Sequence, residues 1–345
     1  MDSVSQIALG SALTIATMGR RTAVWKSALW GLVAGTLPDL DVFIDHGNAL
    51  ANMINHRGNS HSLLYLLLLS PLLGWCIARL QGEGAHWRRW SLAMALVLVT
   101  HPVLDWFTVY GTQLLRPFSR EAYGLGSVFV IDPLYTLPLL IGVGVALCRK
   151  SFAGLRGNQI GLLLSSLYLA WSVLAQQHVG GVARASLAAQ GIAAPQLLVT
   201  PTPLNTLLWR VVAMDDTHYW EGYYSLLYRD REMAWTRHER GTALQSRYAP
   251  HAPAIAQLAR FADGFVKLEQ EDDALYLSDL RMGSEGRYSF RFRLGSLAEI
   301  AAGHAGIEQQ ALDLQVRAAL GELWHRIWNK PDEALARPEG AAQAR

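Results

Sequence analysis

The stretch SLLYLLLLSPLLGWCIARL, residues 62–80, constrains this chain more than any other. It contains no acidic residue, and its one basic residue, Arg79, lies at the far end. A helix of about 20 mainly apolar residues is what a bilayer's hydrocarbon core requires. Such a segment must satisfy its own backbone polar groups, so it crosses lipid as a helix. Residues 91–113, 131–148 and 159–177 read the same way, and 27–45 does so if its aspartates sit at a membrane face. Residues 4–18 are shorter and suit a short span, a re-entrant helix or an interfacial one. The expected fold class is an α-helical membrane bundle of five to six spans, carrying a C-terminal α+β domain outside the cytoplasm.

Charge supports that division. Of the 58 charged residues (30 basic, 28 acidic), 20 fall in 1–177 and 38 in 178–345. The sequence therefore divides into a membrane-embedded helical domain, 1–180, a soluble domain, 181–330, and a disordered tail, 331–345, rich in Ala, Glu, Pro and Arg. Arg20, Arg21 and Lys26, then Arg79, Arg88 and Arg89, then Arg149, Lys150 and Arg156 fall on one side of an up-down path. The positive-inside rule makes that side cytoplasmic and the C-terminal domain periplasmic. Arg57, Arg116 and Arg120 fall on the opposite side and run against the rule. The basic pair Arg20 and Arg21 follows the first apolar stretch instead of preceding it, unlike a cleavable signal. A net charge of +2 with no Lys/Arg-rich block or zinc-finger spacing gives no argument for a nucleic-acid partner, and none is expected. Cys76 and Cys148 both sit in apolar runs and do not form a disulfide framework.

The second half carries strand signals. NTLLWRVVAM (205–214) and HYWEGYYSLLY (218–228) are rich in β-formers. FVKLEQEDDALYLSDLRMG (265–283) and RYSFRFRL (287–294) read as consecutive strands. In the latter, Phe290, Phe292 and Leu294 alternate with Ser289, Arg291 and Arg293, the pattern of a half-buried strand. Residues 308–329 have helical spacing through Leu312, Val316, Leu320, Leu323 and Ile327.

Ionisable residues cluster at the mouths of the apolar runs. Asp39 and Asp41 follow Pro38; His56 and His61 precede the 62–80 run; His101 and Asp105 stand four apart in THPVLDWFTVYG. On a helix, residues four apart share one face and can hold one ion. An unpaired ionisable group in an apolar run is costly, which a bound ion or a polar cluster relieves. Three segments then bring three carboxylates and three imidazoles to one face. Nitrogen and oxygen ligands without thiolate suit Zn²⁺, with Mn²⁺ or Fe²⁺ as alternatives. Six ligands serve two ions; fewer serve one. Each residue also has a plainer role. Ser60 and Ser62 read as helix N-caps, Asp132 as an N-cap before Pro133, and Asp45 and His46 as solvated loop residues. Arg57 either binds phosphate or faces water.

MDSVSQIALGSAL, GTLPDLDVF, HRGNSHS, THPVLDWFTVYGTQLLRPFS and IDPLYTLPLL together resemble the YdjM/YbcI-like family of bacterial inner-membrane proteins, usually described as metal-dependent hydrolases. The resemblance covers about residues 1–180 and extends into the tail through PTPLNTLLWRVV and DLRMG. It implies a multi-pass inner-membrane hydrolase that depends on a divalent metal. The HxxxD element is also similar to one in zinc-dependent phospholipase C and related zinc nucleases. One departure stands out: many relatives carry His where this chain has Gln6, a poor zinc ligand.

The expected function is hydrolysis of a phosphoester at or near a lipid headgroup, on a membrane lipid or lipid-linked substrate. Asp39, Asp41, His56, His61, His101 and Asp105 hold the metal in this reading. Asp41 acts as general base, and Arg57, with Arg116, neutralises phosphate. The alternative is a non-catalytic membrane protein with a structural ion site and a tail that binds a protein partner.

Overall fold

Asp2 opens the first helix by accepting hydrogen bonds from the Val4 and Ser5 amides, so α1 runs from Ser3 to Met18. The structure is a computed structural model describing residues 1–149, 151–228, 232–303, 306–311 and 316–328. After α1 come α2 (Val24–Thr36), α3 (Ala49–Asn55), α4 (Leu63–Leu80), α5 (Trp87–Trp106), α6 (Pro133–Arg149) and α7 (Phe152–Ala189). Local chemistry sets the boundaries. Gly19, at φ 58°, ends α1. Pro38 follows α2 and begins a 3-10 turn, Pro38–Phe43. Ser62 caps α4 by accepting from the Tyr65 amide, and Asp132 caps α6 by accepting from the Leu134 amide.

The expected bundle of five to six spans is not what the chain forms. Among the described residues, only α4 and α7 are long and apolar enough to cross a membrane. The other apolar runs are broken before they reach that length. α1, α2 and α6 have 16, 13 and 17 residues, and at about 1.5 Å per residue all fall short of a core about 30 Å thick. The 27–45 run is cut at Pro38, and the 91–113 run leaves its helix after Trp106. α5 has 20 residues, but Arg88, Arg89, His101 and Asp105 dilute its apolar character. α4 and α7 turn Leu67, Leu68, Leu72, Leu163, Leu164 and Leu167 outward, as lipid-facing helices do.

The chain divides into two units, Met1–Ser172 and Val173–Arg345, with the division inside α7. In the first unit, Met18, Ala34, Leu66, Trp90, Met94 and Leu98 form one core. A second gathers Ala8, Ala12, Leu104, Tyr135 and Leu139. α1 and α2 pack backbone to backbone. A Cβ on Gly31 would strike the Gly10 carbonyl and lie 2.7 Å from Ser11 Cα; one on Gly35 would lie 2.6 Å from the Gln6 carbonyl oxygen. Gly31→Val is therefore expected to push the two helices apart, at about 1–3 kcal/mol or more. It should lower both the melting temperature and metal uptake, because Gln6 and Gly35 belong to the same contact. A variant with unchanged melting and metal content would contradict this role for the close approach.

The second unit holds two four-stranded antiparallel sheets. The first is a meander of β1 (Gln196–Pro201), β2 (Leu208–Met214), β3 (His218–Ser225) and β4 (Trp235–Glu239). After α8 (Thr242–Tyr248) and α9 (Ala254–Phe261) come β5 (Val266–Glu271), β6 (Ala274–Asp279), the short β7 (Gly283–Ser284) and β8 (Arg287–Tyr288), and β9 (Arg291–Ser296). α10 (Leu297–Ala301), β10 (Glu308–Gln309) and α11 (Val316–Trp328) complete the unit. The second sheet has the order β10-β9-β6-β5. β9 shows the expected alternation, with Phe292 and Leu294 buried and Arg291 and Arg293 part-exposed. β2 is buried along its whole length. Trp209, Val211 and Tyr224 pack on Ala175, Val179, Val182 and Ala183 of α7. Of the expected helix over 308–329, Val316–Trp328 is helical and 308–309 is strand; Leu312 lies outside the described residues. The expected disordered tail, 331–345, lies outside the described residues.

Candidate metal centre

Four side chains from three segments converge on one point: Asp39, His61, His101 and Asp105, with ligand atoms all within 4.8 Å of one another. α5 supplies His101 and Asp105 on one face, as their spacing requires. The 3-10 turn after Pro38 supplies Asp39, and a second 3-10 turn, Asn59–His61, supplies His61. His61, His101 and Asp105 are buried; the Asp39 side chain retains 22% exposure.

Hydrogen bonding fixes how the imidazoles face. His101 Nδ1 lies 2.7 Å from the Gly35 carbonyl, which only accepts, so the proton is on Nδ1 and Nε2 points into the cluster. The Ser60 hydroxyl donates to Asp41 Oδ2, so its oxygen accepts from His61 Nδ1 at 2.9 Å. His61 Nε2 therefore also points inward, 3.2 Å from His101 Nε2. His61 Nε2 is 3.3 Å from Asp39 Oδ1 and 3.2 Å from Asp105 Oδ2; for His101 Nε2 the distances are 3.3 and 3.4 Å.

These separations fit a metal. Ligands about 2.0 Å from a tetrahedral centre stand about 3.3 Å apart. When Nε2 of His61 and of His101 carries no proton, buried Asp105 Oδ2 has no donor, and an ion would take that place. Two imidazole nitrogens and two carboxylate oxygens match borderline divalent ions.

Asp41 and His56 stand behind the cluster, not in it. Asp41 Oδ1 accepts from His56 Nδ1 at 2.7 Å, and Oδ2 accepts from the Arg57 amide at 3.0 Å as well as from Ser60. Oδ2 is also 3.5 Å from His61 Nδ1. Carboxylates behind metal-binding histidines set ring orientation and basicity. Asp41→Asn is accordingly expected to weaken metal binding about 10–100-fold while the protein stays folded. Equal affinities in metal titrations of the two proteins would remove this role.

Arg57 does not face water. It is buried at φ 62°, with NH1 donating to Thr108 Oγ1 at 3.1 Å and NH2 3.3 Å from Asp105 Oδ1. Its guanidinium lies 4.8 Å from the centroid of the Tyr110 ring. Gln6 Nε2 donates to the His101 carbonyl and to Asp105 Oδ1, both at 3.2 Å, so Gln6 positions a ligand instead of being one. The Met1 nitrogen also contacts Asp105 Oδ1. Asp132 caps α6 and accepts from the Tyr168 hydroxyl at 2.8 Å. Asp45 and His46 lie in an exposed turn, Asp45 accepting from the Gly47 amide at 2.9 Å. Ser62 caps α4, whereas Ser60 links Asp41 to His61.

Sequence reasoning missed the Gly35 carbonyl, Thr108 and Tyr110. A backbone acceptor leaves no residue-type signal. Thr108 and Tyr110 were visible in THPVLDWFTVYG only as neighbours of the HxxxD pair.

The charges follow from this packing. Burial disfavours the His61 imidazolium, but hydrogen bonds to Asp105, Asp39 and Asp41 outweigh it and raise the pKa to about 9. Burial likewise pushes the Asp39 carboxyl up; its contacts with the His101 and His61 imidazoles reverse this and hold it below the usual carboxylate range. Asp41 is held low in the same way by His56, His61 and Ser60.

Comparison with known proteins covers this half of the chain. The family model described as YdjM inner membrane protein matches residues 1–179. The chain is 29% identical over 177 residues to the uncharacterized protein YfhP of Bacillus subtilis (strain 168), covering 49% of this chain and 51% of that one. It is 34% identical over 96 residues to the inner membrane protein YbcI of Escherichia coli (strain K12), covering 27% of this chain and 54% of that one. The chain spans about half the length of the curated relatives it matches. No solved structure matches it.

Proposed function

This chain belongs to the YdjM inner membrane protein family, and from that membership and the site's geometry we propose that it is a membrane-bound, metal-dependent hydrolase of a phosphoester at a lipid headgroup. The observation that carries the reading is the inward pairing of two imidazole nitrogens with two carboxylate oxygens, 3.2–3.4 Å apart, directly before the span α4. Asp39, His61, His101 and Asp105 hold one divalent ion, and zinc fits them best, with manganese or iron as alternatives. Such an ion polarises a phosphoryl oxygen and activates water near neutral pH.

The protein's own groups divide the remaining work. Asp39, the part-exposed ligand, forms the side from which substrate approaches. Both Asp41 oxygens are taken by donors, so proton transfer falls to the Asp41–His56 pair. Its imidazole donates from Nδ1 and keeps 25% side-chain exposure. Arg57 holds Asp105 and Thr108 in place, leaving Arg116 to meet the substrate phosphate.

The basic residues support an orientation. Arg79 ends α4, and Arg149 and Arg156 flank the start of α7. With those ends in the cytoplasm, as the positive-inside rule favours, the metal centre before α4 would face the periplasm. The second reading is a structural ion with a partner-binding tail, favoured by the count of four protein ligands, which fills a tetrahedral shell.

Turnover separates the two. Metal-loaded protein in detergent is expected to hydrolyse a chromogenic phosphodiester and a phospholipid. Asp39→Ala should lower both rates by at least about 100-fold. A folded, fully metal-loaded protein that turns over neither substrate would favour the structural ion.

A further inference from the structure

Near the candidate metal centre, apolar side chains are exposed, and a neighbouring segment carries two arginines, Arg116 part-exposed and Arg120 exposed. In the turn that buries Asp41, Leu40, Val42 and Ile44 are more than half exposed and Phe43 is 83% exposed. Phe118 is also 83% exposed and stands between Arg116 and Arg120 in the chain. This second segment is fastened to the site. The Gln113 amide donates to the Arg57 carbonyl at 3.0 Å, and the Leu63 amide to the Leu114 carbonyl at 3.1 Å. The Ser62 hydroxyl donates to the Arg116 carbonyl at 2.6 Å.

Among the described residues, neither Arg116 nor Arg120 forms an ion pair. Arg116 Nε donates to Gln113 Oε1 at 2.7 Å, a neutral partner. Burial and the neighbouring Arg120 charge both push Arg116 below its ordinary pKa, yet a guanidinium stays charged. Two like charges near one another, with no ion pair among the described residues although Glu121 follows Arg120 in the chain, favour an external anion. Exposed Phe118, between them in the chain, favours an anion that carries hydrocarbon.

We propose that residues 40–44 and 115–120 form a lipid-docking rim, with Phe43 and Phe118 among acyl chains and Arg116 and Arg120 on the phosphate of an anionic phospholipid. Docking needs only the membrane placement of the family. That the docked lipid is also the substrate rests on the hydrolase reading.

The test uses full-length protein in nanodiscs of mixed phosphatidylglycerol and phosphatidylcholine. The lipids retained on extraction are weighed by native mass spectrometry. Each arginine near an anionic surface is worth about a fivefold preference. R116Q/R120Q should therefore lose most of the phosphatidylglycerol enrichment. His101→Ala should lose metal and keep the enrichment, which separates lipid docking from the metal chemistry. With Cys76 and Cys148 replaced by serine, nitroxides at positions 43 and 118 should be accessible to oxygen and shielded from aqueous nickel. Unchanged enrichment in R116Q/R120Q, or nitroxides at both positions open to nickel, would overturn the proposal. Intact docking without phosphoester turnover would instead count against the hydrolase reading alone.

Discussion

Alanine at His101 is expected to leave detergent-purified protein with less than about a tenth of the metal bound by the unaltered chain. The substitution removes one of the four candidate ligands. Its Nδ1 bond to the Gly35 carbonyl goes with it, so the contact between α2 and α5 loosens at the same point. His61→Ala should have the same effect. It also removes the imidazole that Ser60 and Asp41 orient, while Asp41 keeps its bonds from His56, Arg57 and Ser60. Elemental analysis checks both variants, with membrane insertion measured alongside. Asp41→Asn should weaken binding without abolishing it, because Asp41 stands behind the ligands. Equal loss in all three variants would show that the cluster fails as a whole and that these layers are not distinct.

Metal affinity should depend steeply on pH. Without an ion, His61 keeps its second proton up to about pH 9, held by the carboxylates around it. Metal binding must expel that proton, so affinity should fall about tenfold per pH unit below 9 for one coupled proton. From pH 9 to pH 6 that amounts to about a thousandfold. Stability without metal runs the other way. The folded pKa of His61 is raised above the ordinary value of 6.5. Its contribution is then fully present below 6.5 and lost as pH rises toward 9. Metal-free protein should thus melt lower at pH 9 than at pH 6, and added metal should protect it more at pH 9. Calorimetry in buffers of different ionisation enthalpy should report close to one proton released per ion at pH 7.5. A pH-independent affinity would mean that His61 is not a ligand.

The site was more legible in the sequence than the membrane topology. His101 and Asp105 announce themselves because a four-residue spacing on a helix fixes their shared face. Asp39 and His61 announce themselves as ionisable groups at the edges of apolar runs. Sequence could not separate Asp39 from Asp41, since a 3-10 turn sends residues two apart in different directions. His56 and His61 likewise looked equivalent until Ser60 and Asp41 were seen between them. Arg57 read as a phosphate ligand because nothing in the chain foretold the positive φ that turns it inward toward Asp105.

The span count failed for a different reason. Hydropathy sees an apolar run but not where its helix ends. Pro38 and the turn after Trp106 divide runs that look long enough on paper. In the second unit, β2, β3, β5, β6 and β9 followed from β-branched and aromatic enrichment. β4, with Arg237, His238 and Glu239 in its five residues, is an edge strand whose pairing with β3 no local signal reveals.

X-ray absorption at the metal edge, on full-length protein purified with its metal and quantified per chain, reads the four-ligand site itself. Close to one ion per chain is expected, in a shell of about four nitrogen and oxygen ligands with no sulfur, at about 2.0 Å if the ion is zinc. When His61 or His101 is replaced, the edge signal per chain should drop to less than about a tenth, and any ion that remains should show less imidazole scattering. Protein that binds no ion under metal-replete conditions, or whose metal shell is unchanged in both histidine variants, would contradict the four-ligand site.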